Sequence, residues 1–178
     1  AGVLPRLREQ RPSVLLSLRP GKTPFRTLAS RLLALRESST RSMGTSSTVD
    51  VVGSVPRPSA DDALPDDPEA LAARLFDQPA LLGLELRRLA SLAQAQILVV
   101  IDQLEELFAL VEDEERRRRF IAAIASAADE PDDPVRAVLT LRDDFLVQLA
   151  DSAPEQAALR NLMVLRTPDW ESLRETLT

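Results

Sequence analysis

Apolar positions along this chain follow two rhythms. Short apolar runs of strand length stand at 13–19, 97–101 and 135–141, and between them lie stretches whose apolar residues recur every three or four positions. The run at 13–19 closes on Pro20-Gly21, a turn signal, and Thr23-Pro24 then opens a helix with Phe25, Leu28, Leu32, Leu33 and Leu35 along it. Leu71, Leu75 and Phe76 share the face of a helix starting near Pro68, and after Pro79 a second helix carries Leu81, Leu82, Leu86, Leu89 and Leu92. Phe120, Ile121, Ile124 and Ala128 line a further helix that ends at the Pro131 to Pro134 break. Val3, Leu4 and Leu7 read as the last turns of a helix, 161–165 as a weak fourth strand, and Thr167-Pro168 as another helix start. Strands alternating with helices predict an α/β domain with a mostly parallel sheet.

The organising run is Ile97-Leu98-Val99-Val100-Ile101, which leads without a polar break into Asp102, Glu105 and Glu106. An unalternated run predicts a strand covered on both faces, as in parallel sheets. In such sheets ligands sit beyond the carboxyl ends of the strands, where Asp102 emerges. A strand delivering an Asp with a Glu a turn later is the arrangement in which the Asp holds Mg²⁺ and a carboxylate orients the attacking water of a nucleoside triphosphatase. A plain structural reading stands beside it: Asp102 caps the next helix, and Glu105 and Glu106 are solvated in its first turn. The strand at 135–141 repeats the pattern, ending in Arg142-Asp143-Asp144-Phe145.

Composition narrows the chemistry. With 178 residues the chain can bury a sizeable core, but aromatics are only 3%, so Leu, Val, Ile and Ala must build it. There is no Cys and no His, which removes thiolate metal sites and the commonest general base. Carboxylates, Arg, Ser/Thr and the single Lys22 are what catalysis has to use. A net charge of −6 makes a general nucleic-acid binder a poor expectation. Arg116 to Arg119 do not change this, because each acidic residue from Glu112 to Glu115 lies four before an Arg, so four i,i+4 pairs are predicted on a solvated helix face. No apolar run approaches the roughly 20 residues of a membrane span, no secretory signal stands at the start, and a cytoplasmic location is expected. The first residue is Ala rather than Met, which suggests a processed or partial chain.

Read together, Val100-Ile101-Asp102-Gln103-Leu104-Glu105-Glu106-Leu107-Phe108 and Leu139-Thr140-Leu141-Arg142-Asp143-Asp144-Phe145 resemble the Walker B and sensor strands of a STAND-class NTPase, in its bacterial novel STAND branch. Leu18-Arg19-Pro20-Gly21 and Ala1-Gly2-Val3-Leu4-Pro5-Arg6-Leu7 are similar to its next strand and its post-P-loop segment. The resemblance implies a three-layer P-loop NTPase-like (AAA+/STAND) fold and an ATP-driven switch in a multidomain signalling or defence protein. Asp102 would then hold the water shell of Mg²⁺, Glu106 or Glu105 would polarise the hydrolytic water, and Arg142 would reach the γ-phosphate of ATP. An ion pair from Arg142 to Asp143, Asp144 or Glu106 is its structural alternative. Implied partners are effector and sensor-repeat regions of the same protein and a further copy of it on activation.

The family's phosphate loop, G-x-x-x-x-G-K-[ST], is not in this sequence. Gly21-Lys22-Thr23 imitates its tail, but Leu16 stands where the first Gly belongs and Pro24 follows. The loop and the first strand are therefore expected upstream of Ala1, with no hydrolysis by these residues alone. The expected divisions are 1–36 (helix end, strand and helix), 37–68 (a mobile insertion, with 49–55 as a possible edge strand), 69–166 (the rest of the NTPase core) and 167–178 (the start of a helical region). A nucleotide-free scaffold that keeps the same fold is the alternative function.

Overall fold

The computed structural model describes residues 12–43, 64–128 and 132–152. Three strands, β1 (Ser13–Leu18), β2 (Gln96–Ile101) and β3 (Val135–Leu139), form a parallel sheet in that order. Helix α1 (Pro24–Met43) follows β1, and α2 (Pro68–Asp77) and α3 (Leu81–Ala93) lead into β2. After β2 come α4 (Glu105–Leu110) and α5 (Glu114–Ala127), and after β3 a 3-10 turn (Asp143–Phe145) runs into α6 (Leu146–Ser152).

Local chemistry sets these boundaries. Helix α1 starts at Pro24, whose missing N–H is one that the first turn leaves unpaired in any case. The Asp67 and Asp113 side chains accept from Ala70 N–H and Arg116 N–H, and so cap α2 and α5. Helix α1 runs on to Met43, past the expected boundary at 37, and 44–63 lie outside the described residues. The possible strands at 49–55 and 161–165, the helix end before residue 12 and the helix from 167 lie outside the described residues.

The parallel register aligns Leu16 with Val99, Leu18 with Ile101, and Ile97 with Val135. These six side chains are all buried, and together they form one face of the sheet. Helices α1, α3 and α5 pack against the strands and close that face with Leu28, Leu32, Leu82, Leu86, Phe120 and Ile124. On the other face, Leu15, Leu98 and Val100 are half-buried and Val138 is exposed. Strand β2 thus alternates in burial, and among the described residues the expected cover on both faces is full on one face only. An unbroken apolar run shows that a strand can be covered on both sides but does not supply the cover. Among the described residues there are two layers, a sheet and its helices.

Five Phe side chains carry most of the aromatic packing. Phe25 meets Phe76 and Phe120 edge to face, at 5.5 and 5.6 Å between ring centres. Arg119 lies over the Phe76 ring at 4.6 Å and donates to the Phe76 carbonyl, which ties α5 to α2. The four expected i,i+4 pairs reduce to one, Glu115 with Arg119, plus i,i+3 contacts of Glu115 with Arg118 and Asp113 with Arg116. The helix begins only at Glu114, so Glu112 precedes it, and Asp113 is spent on the cap. Leu92, expected on the buried face of α3, is exposed.

Candidate functional site

The site lies at the carboxyl edge of the sheet. Leu18, Ile101 and Leu139 end the three strands in register, so the next residue of each, Arg19, Asp102 and Thr140, stands in one row. The ladder extends one step further to hold that row. Asp102 N–H donates to Leu18 C=O and Thr140 N–H to Ile101 C=O, both at 2.9 Å. Leu104 N–H then donates to Thr140 C=O, closing the turn after β2, where Gln103 takes the left-handed conformation with φ 56°.

The side chains of the row are mutually bonded. Arg19 donates through Nε (3.0 Å) and Nη2 (2.9 Å) to Asp102 Oδ2. Thr140 Oγ1 donates to Asp102 Oδ1 at 2.9 Å and accepts from Gln103 N–H at 2.9 Å. The Thr140 hydroxyl first, and the Arg19 guanidinium after it, hold the Asp102 carboxyl below the usual carboxylate range. Any stability this adds is present above the unfolded pKa and is lost as pH falls through the lowered folded value. Thr140→Val should move the Asp102 carboxyl back up toward its ordinary value, which a ¹³C NMR titration of the Asp side chains would read.

Asp102 does not cap α4. The residue at the cap position is Leu104, and no side chain bonds there. Glu105 and Glu106 do stand in the first turn of α4, in different surroundings. Glu106 Oε2 accepts from Gly21 N–H at 3.1 Å, in the loop after β1. Gly21 has φ 62°, a conformation that glycine adopts without strain. Glu105 Oε2 is buried and has no hydrogen-bond partner among the described residues. Arg142 pairs with Asp144 at 2.9 Å, and both side chains are largely exposed. Phe108 of α4 stacks on Phe145 at 6.1 Å, joining the segment after β2 to the segment after β3.

The structure therefore brings Asp102 and Glu106 to one loop, residues 19–21, and leaves Arg142 on its own acidic neighbour. Arg19 and Thr140 are site members that sequence reasoning passed over. The sequence pattern runs the two strands on to 19 and 141 and so reads both as strand residues; the structure ends the strands at Leu18 and Leu139 and leaves Arg19 and Thr140 one residue past them, as Asp102 is. A surface hollow lined by Pro12, Ala90, Ser91, Gln94, Ala95, Gln96 and Pro134 lies at the opposite, amino edge and carries no titratable side chain.

Among the described residues no group of three or more acidic, His or Cys side chains could enclose a metal ion. One part-exposed carboxylate fits a different mode. Magnesium keeps several waters and takes its remaining ligands from one or two carboxylates and from substrate phosphates. Asp102 offers such a donor.

A parallel α/β sheet that presents an Asp beyond its central described strand is compatible with an NTPase-like fold. The family model described as Novel STAND NTPase 1 matches residues 1–178, and the chain belongs to that family. No curated protein and no solved structure matches it. Among the described residues no helix is long and apolar enough to cross a membrane.

Proposed function

We propose that this chain is the greater part of an ATP-binding and ATP-hydrolysing switch domain of a larger, cytoplasmic signalling or defence protein, with a three-layer P-loop architecture. The observation that carries this reading is the row Arg19, Asp102, Thr140 at the carboxyl ends of three parallel strands, in a chain of the novel STAND NTPase family. Asp102, as the Walker B residue, would hold the water shell of Mg²⁺, and Glu106 or Glu105 would orient the attacking water. Arg142 would turn from Asp144 to the γ-phosphate. An exposed pair of that kind contributes roughly 0 to 1 kcal/mol, so the turn costs little. Bound magnesium supplies neutralisation of phosphate charge, and phosphoryl transfer asks of the protein mainly positioning and charge stabilisation. That demand suits a chain with neither His nor Cys. Nucleotide state would bias packing against effector and sensor-repeat regions and against further copies of the protein.

A second reading, a nucleotide-free scaffold, has one observation in its favour. Both oxygens of Asp102 are bonded internally, and so is one oxygen of Glu106. Thermal melting of the full-length protein with Mg²⁺ and rising ATP separates the two readings. A binder gains about 2.7 kcal/mol at a hundredfold excess over Kd. A scaffold shows no shift at any concentration.

A further inference from the structure

We propose that Arg19 is an exchangeable counter-cation of the site: its guanidinium holds Asp102 while no divalent cation is bound, and it must leave for one to bind. The inference rests on the reading of Asp102 as a magnesium-holding carboxylate and gives Arg19, until here only a neighbour in the row, a role of its own. Two features of Arg19 carry it.

The first is where its donors go. A carboxylate offers about four lone-pair positions. Arg19 Nε and Nη2 both use Oδ2, and the Thr140 hydroxyl uses Oδ1, so most of the acceptor capacity of Asp102 is spent. Thr140 is neutral and can stay beside a bound cation. Arg19 carries a full charge on the same carboxylate, and a divalent cation held there meets it across a few ångströms of partly exposed space. Arg19 and the cation therefore compete for one carboxylate.

The second is that the fold does not need this ion pair. Main-chain bonds from Asp102 to Leu18 and from Thr140 to Ile101 already fix the row. The Arg19 side chain is 59% exposed, so it can leave into solvent or toward the phosphates of a ligand without opening the core. The loop that carries it also donates Gly21 N–H to Glu106, so the segment that guards Asp102 touches the second candidate carboxylate as well. The single Lys22 follows in the same exposed loop, which leaves a second cation beside the site after Arg19 has moved.

The test measures Mn²⁺ binding to the full-length protein, in the absence of nucleotide, from the electron paramagnetic resonance signal of free manganese. Arg19→Gln removes the charge and keeps a polar chain, Arg19→Lys keeps the charge, and Asp102→Asn removes the carboxylate. Arg19→Gln should bind Mn²⁺ about tenfold more tightly than wild type at low salt, as expected for removing one nearby like charge in a partly screened setting. Arg19→Lys should stay near wild type, and Asp102→Asn should abolish the gain in the double variant. Equal affinity in wild type and Arg19→Gln, with binding still dependent on Asp102, overturns the exchange while leaving the cation site standing. Binding that ignores Asp102→Asn, or no binding in any variant, overturns the site reading and the exchange with it.

Discussion

Asp102→Asn and Glu106→Gln should each lower ATP turnover of the full-length protein by about 10²-fold or more, the usual scale for removing one electrostatic contributor to a transition state. Asn keeps the shape of Asp and its oxygen can still accept from the Thr140 hydroxyl; its amide nitrogen cannot accept from Arg19, but the main-chain bonds still hold the row at the sheet edge. What is lost is the charge that would face magnesium. Glu106→Gln likewise keeps an oxygen for Gly21 N–H and loses the carboxylate that would orient water. Steady-state phosphate release, with far-ultraviolet circular dichroism as a control on folding, reads both. Wild-type turnover in the two variants would remove the hydrolytic assignment.

The largest effect on stability is expected at Phe120. Its side chain is fully buried and meets Phe25 edge to face, and Phe25 in turn meets Phe76, so one ring joins α5 to α1 and, through it, to α2. Phe120→Ala should cost about 3–5 kcal/mol, the range for emptying a buried aromatic site. That is a large part of the roughly 5–15 kcal/mol by which domains are stable. Few aromatics are available in this chain, and α5 has no other ring on its buried face. Urea unfolding followed at 222 nm gives the number, and a loss below about 1 kcal/mol would show that the three rings do not organise the helical layer.

How far the sequence alone could be read varies along the chain. The βα unit of β1 and α1 was legible from Pro20-Gly21 and Thr23-Pro24, because turn and helix-start chemistry is local. The emergence of Asp102 from a parallel strand was legible for the same reason, since a strand-length apolar run ending in acid is a local pattern. Burial on one face of β2 was not legible, because Leu98 and Val100 are as apolar as their buried neighbours and only the cover differs. The charge run from Glu112 to Arg119 was legible as a helix surface but not in its pairing, which depends on where the cap falls. Arg19 and Thr140 were hidden by distance. They are 83 and 38 residues from Asp102, and only the strand register places them beside it.

The central proposal, which family membership and the Arg19–Asp102–Thr140 row support, is that Asp102 is where a magnesium-bound nucleotide is held. The most direct test is equilibrium titration of ATP into the full-length protein, with excess Mg²⁺ and then with EDTA, for wild type and Asp102→Asn. The account predicts binding that weakens at least tenfold when Mg²⁺ is removed from the wild type, and no such dependence in Asp102→Asn. Equal Mg²⁺ dependence in the two proteins, or no binding to the wild type at all, would contradict it.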